Sequence, residues 1–176
     1  MSNRTSDVDV LIIGGGPVGS ALAIELGRSA VRCLVLERRT LRSVQPKAKL
    51  TNIRTMTLLR RWGLADALRA RSPIPATFPS DVAFVTRLKG WELTRFANAF
   101  STVVDRTRPF PEPAQQVPQY VLEEVLRSHA ATLPSVTVVT GVQLESVEET
   151  EEGLVALGTT GEGTKTRRMK AHRTAG

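Results

Sequence analysis

The stretch from Val8 to Glu37 constrains the fold more than any other part of the sequence. It holds an apolar run that ends at Ile13, a glycine cluster over 14–19, a segment of helical length and a second apolar run over 31–36. Runs rich in Val and Ile are typical of buried strands, and glycines between a strand and a helix permit a tight turn. The order predicts strand, turn, helix and strand, which is a βαβ unit.

The glycines of the turn follow the spacing Gly14-x-Gly16-x-x-Gly19. Gly14 permits a sharp turn out of the strand, Gly16 lets a pyrophosphate approach the backbone, and Gly19 lets the helix pack close to the sheet. Glu37 ends the second strand, where a carboxylate can bind the hydroxyls of an adenosine ribose that carries no 2′-phosphate. A dinucleotide site is therefore predicted. A P-loop is excluded, because Ser20 stands where that motif needs lysine.

Composition indicates one globular domain of ordinary size, with 176 residues of which 41% are hydrophobic and 23% charged. The single cysteine, Cys33, falls in the second strand, so we expect a buried apolar role in a reducing compartment. The N-terminus lacks the basic region of a signal peptide, and no apolar run approaches the length of a membrane helix. A cytoplasmic protein with no membrane partner is expected.

The net charge of +7 is concentrated at the end of the chain. Five positive charges lie there without any acid or aromatic residue, at Lys165, Arg167, Arg168, Lys170 and Arg173. Nucleic-acid binding needs a basic face with aromatic stacking groups, so no nucleic-acid partner is expected. The acidic run over 145–152 has no histidine beside it, and neither His129 nor His172 has a metal-ligand spacing, so no metal site is predicted.

Hydrophobic periodicity predicts the remaining elements. A helix begins at Thr51 or Asn52 as its cap and ends before Gly63. Further helices are expected over 65–70 and 119–131, and strands over 81–86, 91–96, 136–139, 141–147 and 154–157. The fold class is α/β, a Rossmann-like sheet with an inserted β-rich segment. Four segments follow: 1–71, a βαβ unit with helices; 72–117, a proline-rich insertion that starts a substrate lobe; 118–163, a returning helix and hairpin; and 164–176, a basic tail expected to be disordered.

Three motifs in this order resemble the N-terminal part of the flavin-dependent aromatic hydroxylases, the single-component FAD monooxygenases of the p-hydroxybenzoate hydroxylase type. The resemblance covers about residues 7–160. It rests on 10–19 followed by Glu37-Arg38-Arg39, on Pro46-Lys47-Ala48 with 52–64, and on 119–127.

The resemblance implies FAD as the cofactor and assigns its contacts. Gly14, Gly16, Pro17, Val18 and Gly19 would line the pyrophosphate. Glu37 would bind the ribose, and the further cofactor contacts would be Arg38, Arg54 and Gln119.

The reaction of the resembled family implies further partners. NADPH or NADH reduces the flavin, O2 adds to give a C4a-hydroperoxide, and oxygen is transferred to a phenolic or other aromatic ring. The flavin carries this chemistry, so the sequence identifies no catalytic acid or base.

The resembled family has two further motifs, one with an Asp-Gly sequence and one with a Gly-Asp sequence. Neither dipeptide occurs in this sequence, so the chain departs from the family there. We expect a C-terminally truncated chain with an incomplete sheet and marginal stability. An inactive truncated remnant and another FAD-dependent oxidoreductase stay open as alternatives, and an NAD-dependent dehydrogenase is the third.

Overall fold

The computed structural model describes residues 6–40, 45, 47–104, 107, 109–151, 153–160 and 167–172, with the main chain alone at 6, 7 and 167–172. Its helices are α1 (Pro17–Arg28), α2 (Ile53–Arg61), α3 (Ala65–Arg71) and α4 (Gln119–Ala130). Its strands are β1 (Ser6–Val8), β2 (Val10–Ile13), β3 (Cys33–Glu37), β4 (Leu50–Thr51), β5 (Val82–Val85), β6 (Glu92–Phe96), β7 (Gln115–Gln116), β8 (Val136–Thr140), β9 (Val142–Thr150), β10 (Gly153–Thr160) and β11 (Arg167–His172). Among these described helices, none combines the length and apolar character needed to span a membrane.

The chain divides into two compact units, Met1–Ser43 with Leu126–Gly176, and Val44–Val125. The first unit contains a three-stranded parallel sheet in the order β2-β3-β8. These are the three strands that the apolar runs predict, and α1 packs against all of them. Ala23 and Ile24 of α1 are fully buried. The predicted βαβ unit is therefore confirmed.

Both faces of the central strand β3 are buried, which explains its uninterrupted apolar run. Leu34 and Leu36 lie two residues apart and so share one face of the strand. On that face they form a buried cluster with residues of β1, β9 and β10, namely Val8, Val142 and Ala156. These three strands belong to a second sheet of the first unit, with the order β1-β11-β10-β9. One part of the apolar core of this unit thus lies between its two sheets, and another lies between the parallel sheet and α1.

The disorder predicted for the tail 164–176 is wrong over 167–172. This segment forms β11, which pairs antiparallel with β10 and parallel with β1. Main-chain hydrogen bonds to two neighbours can order a segment of basic composition, and composition therefore misled the prediction. The alternation of Met169 and Ala171 with basic residues is the strand signal that the sequence does contain. The other tail residues, with Lys165 and Arg173, lie outside the described residues.

The hairpin of β9 and β10 is longer than its sequence pattern predicts. The predicted strands over 141–147 and 154–157 leave an acidic turn over 148–153, but β9 runs on to Thr150 and β10 begins at Gly153, directly opposite it. Gly153 has a positive φ of 133°. Glu148 and Glu149 are exposed on β9, and an exposed strand accommodates charged side chains. These two acidic residues therefore lie in the strand and not in the turn.

The second unit is built on two short antiparallel ladders. β4 pairs with β7, and β5 pairs with β6 in a hairpin that corresponds to the predicted strands over 81–86 and 91–96. Asn52 caps α2, its side chain accepting a hydrogen bond from the Thr55 N–H at 2.9 Å. Gly63, with a φ of +75°, follows the helix end. The cap and the stop of α2 are therefore those that the sequence predicts.

The division between units differs from the predicted boundary at 71. Residues 44–71 belong with the proline-rich insertion, and the later boundary, at Leu126, falls inside α4. The cause is visible in the contacts of Glu112, which forms ion pairs with Arg60 of α2 and Arg69 of α3. Pairing of β4 with β7 adds a second connection. These long-range contacts attach α2 and α3 to the insertion rather than to the βαβ unit.

Cys33 is expected to resist thiol reagents in the native protein. Its side chain is fully buried in β3, and burial together with the Asp9 carboxylate raises the pKa of its thiol. The reactive thiolate is therefore scarce at neutral pH and inaccessible. Labelling with a chromogenic disulfide should be slow in buffer and complete within the mixing time in denaturant. Rapid labelling in buffer would show that β3 opens readily.

Candidate dinucleotide site

The glycine loop turns out of β2 at Gly14. This residue has a φ of +99°, a conformation that glycine alone adopts readily. Its N–H donates to the Leu36 carbonyl at 2.8 Å, so the turn is anchored to β3. Gly14 therefore has the turning role that the motif assigns to it.

The next residue, Gly15, is buried and held at both of its polar groups. Its N–H donates to Glu37 Oε2 at 2.8 Å. Its carbonyl accepts two hydrogen bonds, from Ser20 Oγ at 3.1 Å and from Arg127 Nη2 at 3.1 Å. Side chains from three separate parts of the first unit, β3, α1 and α4, thus converge on one glycine.

Gly16 and Gly19 differ sharply in the space around them. A Cβ on Gly19 would lie 1.9 Å from the Gly14 carbonyl oxygen and 3.2 Å from Cγ2 of Ile12. A Cβ on Gly16 would meet nothing within 4 Å among the described residues. Gly19 is therefore required by packing, whereas Gly16 faces open space where a ligand can approach.

The N-terminus of α1 has the features of an anion site. Gly16 is its N-cap and has no side chain that could bond to the first N–H groups of the helix. Pro17 takes the first helical position, and no acidic residue lies in the first turn. The first N–H groups of a helix have no partner within the helix, and the helix dipole is positive there. Val18 is 83% exposed beside them. The described side chains thus leave this end open to a phosphate.

Glu37 is half-buried at the end of β3. Besides the Gly15 N–H, its carboxylate accepts from the Arg39 N–H, which lies 3.0 Å from Oε1. A carboxylate has about four lone-pair sites, so acceptor capacity remains for ribose hydroxyls. Arg38, the next residue, is exposed.

The other two predicted cofactor contacts lie in the second unit. Arg54 is exposed in the first turn of α2 and lines a cavity of about 440 Å³ with Phe100 and Phe110 among its walls. Gln119 begins α4, where its N–H donates to the Ala48 carbonyl at 2.9 Å. Its side-chain amide donates to Glu123 Oε1 at 2.7 Å. The fold thus brings Gln119 next to the Lys47-Ala48 part of the second sequence motif.

Sequence reasoning missed two residues at the glycine loop, Ser20 and Arg127. Arg127 falls within the third sequence motif, about two helical turns after Gln119, but nothing local in the sequence links it to Gly15. Ser20 follows Gly19 directly, and in the sequence it serves only to exclude a P-loop, which needs lysine at that position. Both act on a main-chain carbonyl, a contact that side-chain patterns do not reveal.

Comparison with known proteins agrees with this geometry. Residues 7–176 match the family described as FAD binding domain. The chain belongs to the FAD binding domain family. The predicted kinship of this FAD-binding chain with flavin-dependent aromatic hydroxylases, and with it the α/β fold class, is confirmed.

Two curated relatives and one solved structure illustrate the kinship. Aklavinone 12-hydroxylase DnrF of Streptomyces peucetius is 37% identical over 170 residues, which cover 93% of this chain and 35% of the relative. 2,4-Dichlorophenol 6-monooxygenase of Delftia acidovorans is 31% identical over 129 residues, which cover 71% of this chain and 22% of the relative. The flavin-dependent monooxygenase PieE, solved with FAD and substrate, superposes with a TM-score of 0.82 at 27% identity. The match covers 94% of this chain and 29% of the PieE chain. The chain spans about a third of the first relative's length, or less of the others.

Proposed function

We propose that this chain is the FAD-binding portion of an NAD(P)H-dependent monooxygenase that hydroxylates a phenolic or other aromatic substrate with O2. The observation that carries the proposal is the family match over residues 7–176, joined to a glycine loop whose open face lies at Gly16. Named hydroxylases and monooxygenases among the relatives support the reaction class. A cytoplasmic location stays a prediction.

The glycine loop and β3 fit the adenosine diphosphate half of the cofactor. We assign the pyrophosphate to the open N-terminus of α1, with Gly14, Gly16, Pro17, Val18 and Gly19. The N–H groups there supply hydrogen bonds that a phosphate can accept.

Glu37 is assigned to the adenosine ribose. Its carboxylate is oriented by the Gly15 and Arg39 N–H groups and so is held in place before a ribose binds. Arg38, Arg54 and Gln119 are further proposed cofactor contacts.

The bound flavin would supply the redox and oxygen chemistry. The described residues would bind and orient it, and we assign no catalytic acid or base.

The visible absorption spectrum of the purified protein tests this proposal, followed by titration with FAD and separately with NAD. We expect flavin bands in the purified protein, or saturable FAD binding with a clear preference over NAD. Addition of phenols should then accelerate NAD(P)H oxidation if the substrate pocket is complete. A colourless protein that binds neither dinucleotide would overturn the proposal, and a preference for NAD would favour a dehydrogenase.

A further inference from the structure

The peptide bond between Gly15 and Gly16 is held in one orientation by side chains from two helices. Ser20 on α1 and Arg127 on α4 both donate to the Gly15 carbonyl oxygen, each at 3.1 Å. Ser20 is buried and Arg127 is half-buried, so the first hydrogen bond is shielded from water and the second is partly shielded. The carbonyl is therefore fixed toward the interior of the first unit.

This orientation determines where the next N–H points. In a trans peptide the C=O and the following N–H point in opposite directions. With the Gly15 carbonyl directed at Ser20 and Arg127, the Gly16 N–H is directed away from them. A Cβ at Gly16 would have no neighbour within 4 Å in the described part of the chain. Open space for an anion is thus available beside Gly16, whose N–H points away from Ser20 and Arg127.

Arg127 has no second role among the residues that the structure describes. Its Nη2 donates to Gly15, and its Nε–H is buried without a hydrogen-bond partner. Arg127 forms no ion pair with another described residue. The hydrogen bond to the Gly15 carbonyl is therefore the polar contact that the described residues give to this half-buried side chain.

We propose that Arg127 is a positioning residue of the dinucleotide site. With Ser20, it holds the Gly15–Gly16 peptide so that an N–H, and not a carbonyl oxygen, meets the pyrophosphate. A flipped peptide would present a partial negative charge to the phosphates instead. The inference rests on the proposed function and adds to it a residue that acts through the main chain.

Binding of ADP and of adenosine, measured by titration calorimetry on the full chain, tests the proposal. Adenosine lacks the pyrophosphate, so loss of peptide orientation should leave its affinity within about twofold. Arg127→Met should weaken ADP binding about tenfold, the effect of losing one hydrogen bond of ordinary to charged strength. Arg127→Lys, which keeps a charged donor, should recover part of the loss.

Two further variants separate orientation from charge. Ser20→Ala removes the other donor to the same oxygen without changing the charge, and it should weaken ADP binding in the same selective way. Arg28→Met removes one positive charge from the exposed end of α1 and should leave both affinities unchanged. The ADP loss in Arg127→Met should persist at high KCl, since screening weakens only a charge effect.

Equal losses for ADP and adenosine would overturn the proposal, as would a loss that disappears at high salt or a normal Ser20→Ala. If Arg127→Met does not fold, Arg127→Lys and Ser20→Ala decide the question. If the unaltered chain binds neither ADP nor FAD, the proposed function fails instead.

Discussion

Alanine in place of Gly19 is expected to destabilise the first unit by about 3 kcal/mol or more. The new Cβ would lie 1.9 Å from the Gly14 carbonyl oxygen, a main-chain atom that is part of the turn and cannot rotate away. Relief requires α1 to move away from β2, which would loosen the packing of Ile24 and Ala23. Urea unfolding followed by circular dichroism measures the loss.

Gly16→Ala is the matched control. Its Cβ has open space, and the φ of −71° suits alanine, so stability should fall by about 1 kcal/mol or less, the cost of a poorer helix cap. The methyl group would instead stand where the pyrophosphate approaches and should weaken FAD binding about tenfold or more. The two variants thus separate packing from binding. Equal destabilisation by both would contradict the assignment of the open face to Gly16.

Replacement of Glu37 by glutamine is expected to weaken ADP and FAD binding roughly 10- to 150-fold, which is the range for a charge-assisted hydrogen bond. The carboxylate accepts two main-chain N–H groups, one on each oxygen. In either orientation of a glutamine amide, its NH2 group would face one of these donors. The side chain would therefore lose its orientation as well as its charge.

Glu145→Gln provides the control for Glu37→Gln, because it makes the same charge change at an exposed site on β9. Among the described residues, the Glu145 side chain accepts a hydrogen bond from the Thr159 hydroxyl alone, which glutamine can still accept. Fluorescence titration with FAD compares the two variants. Normal FAD affinity in Glu37→Gln would remove Glu37 from the site.

The sequence predicts the parts of this fold that depend on neighbours along the chain. Gly14 follows a four-residue strand and precedes a proline-started helix, and each of these signals lies within a few residues of the next. Asn52 and Gly63 bound α2 for the same reason, since a cap and a stop act locally. Glu37 was found because the end of a strand has a defined place in a βαβ unit.

Contacts between distant residues could not be predicted in this way. β4 and β7 have two residues each, too few for any periodicity, and exist because they pair with each other. The bond from Arg127 to Gly15 joins residues that lie far apart in the sequence and ends on a carbonyl that every residue possesses. β11 was missed because basic composition outweighed a weak alternation.

The first unit cannot assemble in the order in which its residues are synthesised. β1 pairs with β11, so Ser6 cannot pair until Met169 has been synthesised. Residues 44–125, in contrast, form a unit that is continuous in sequence and can fold earlier. Closing the longer loop costs more entropy and delays folding. Until β9 and β10 have been made, Leu34 and Leu36 lack the cover that Val142 and Ala156 give to the face they share. During synthesis this apolar face is a surface that a chaperone could shield.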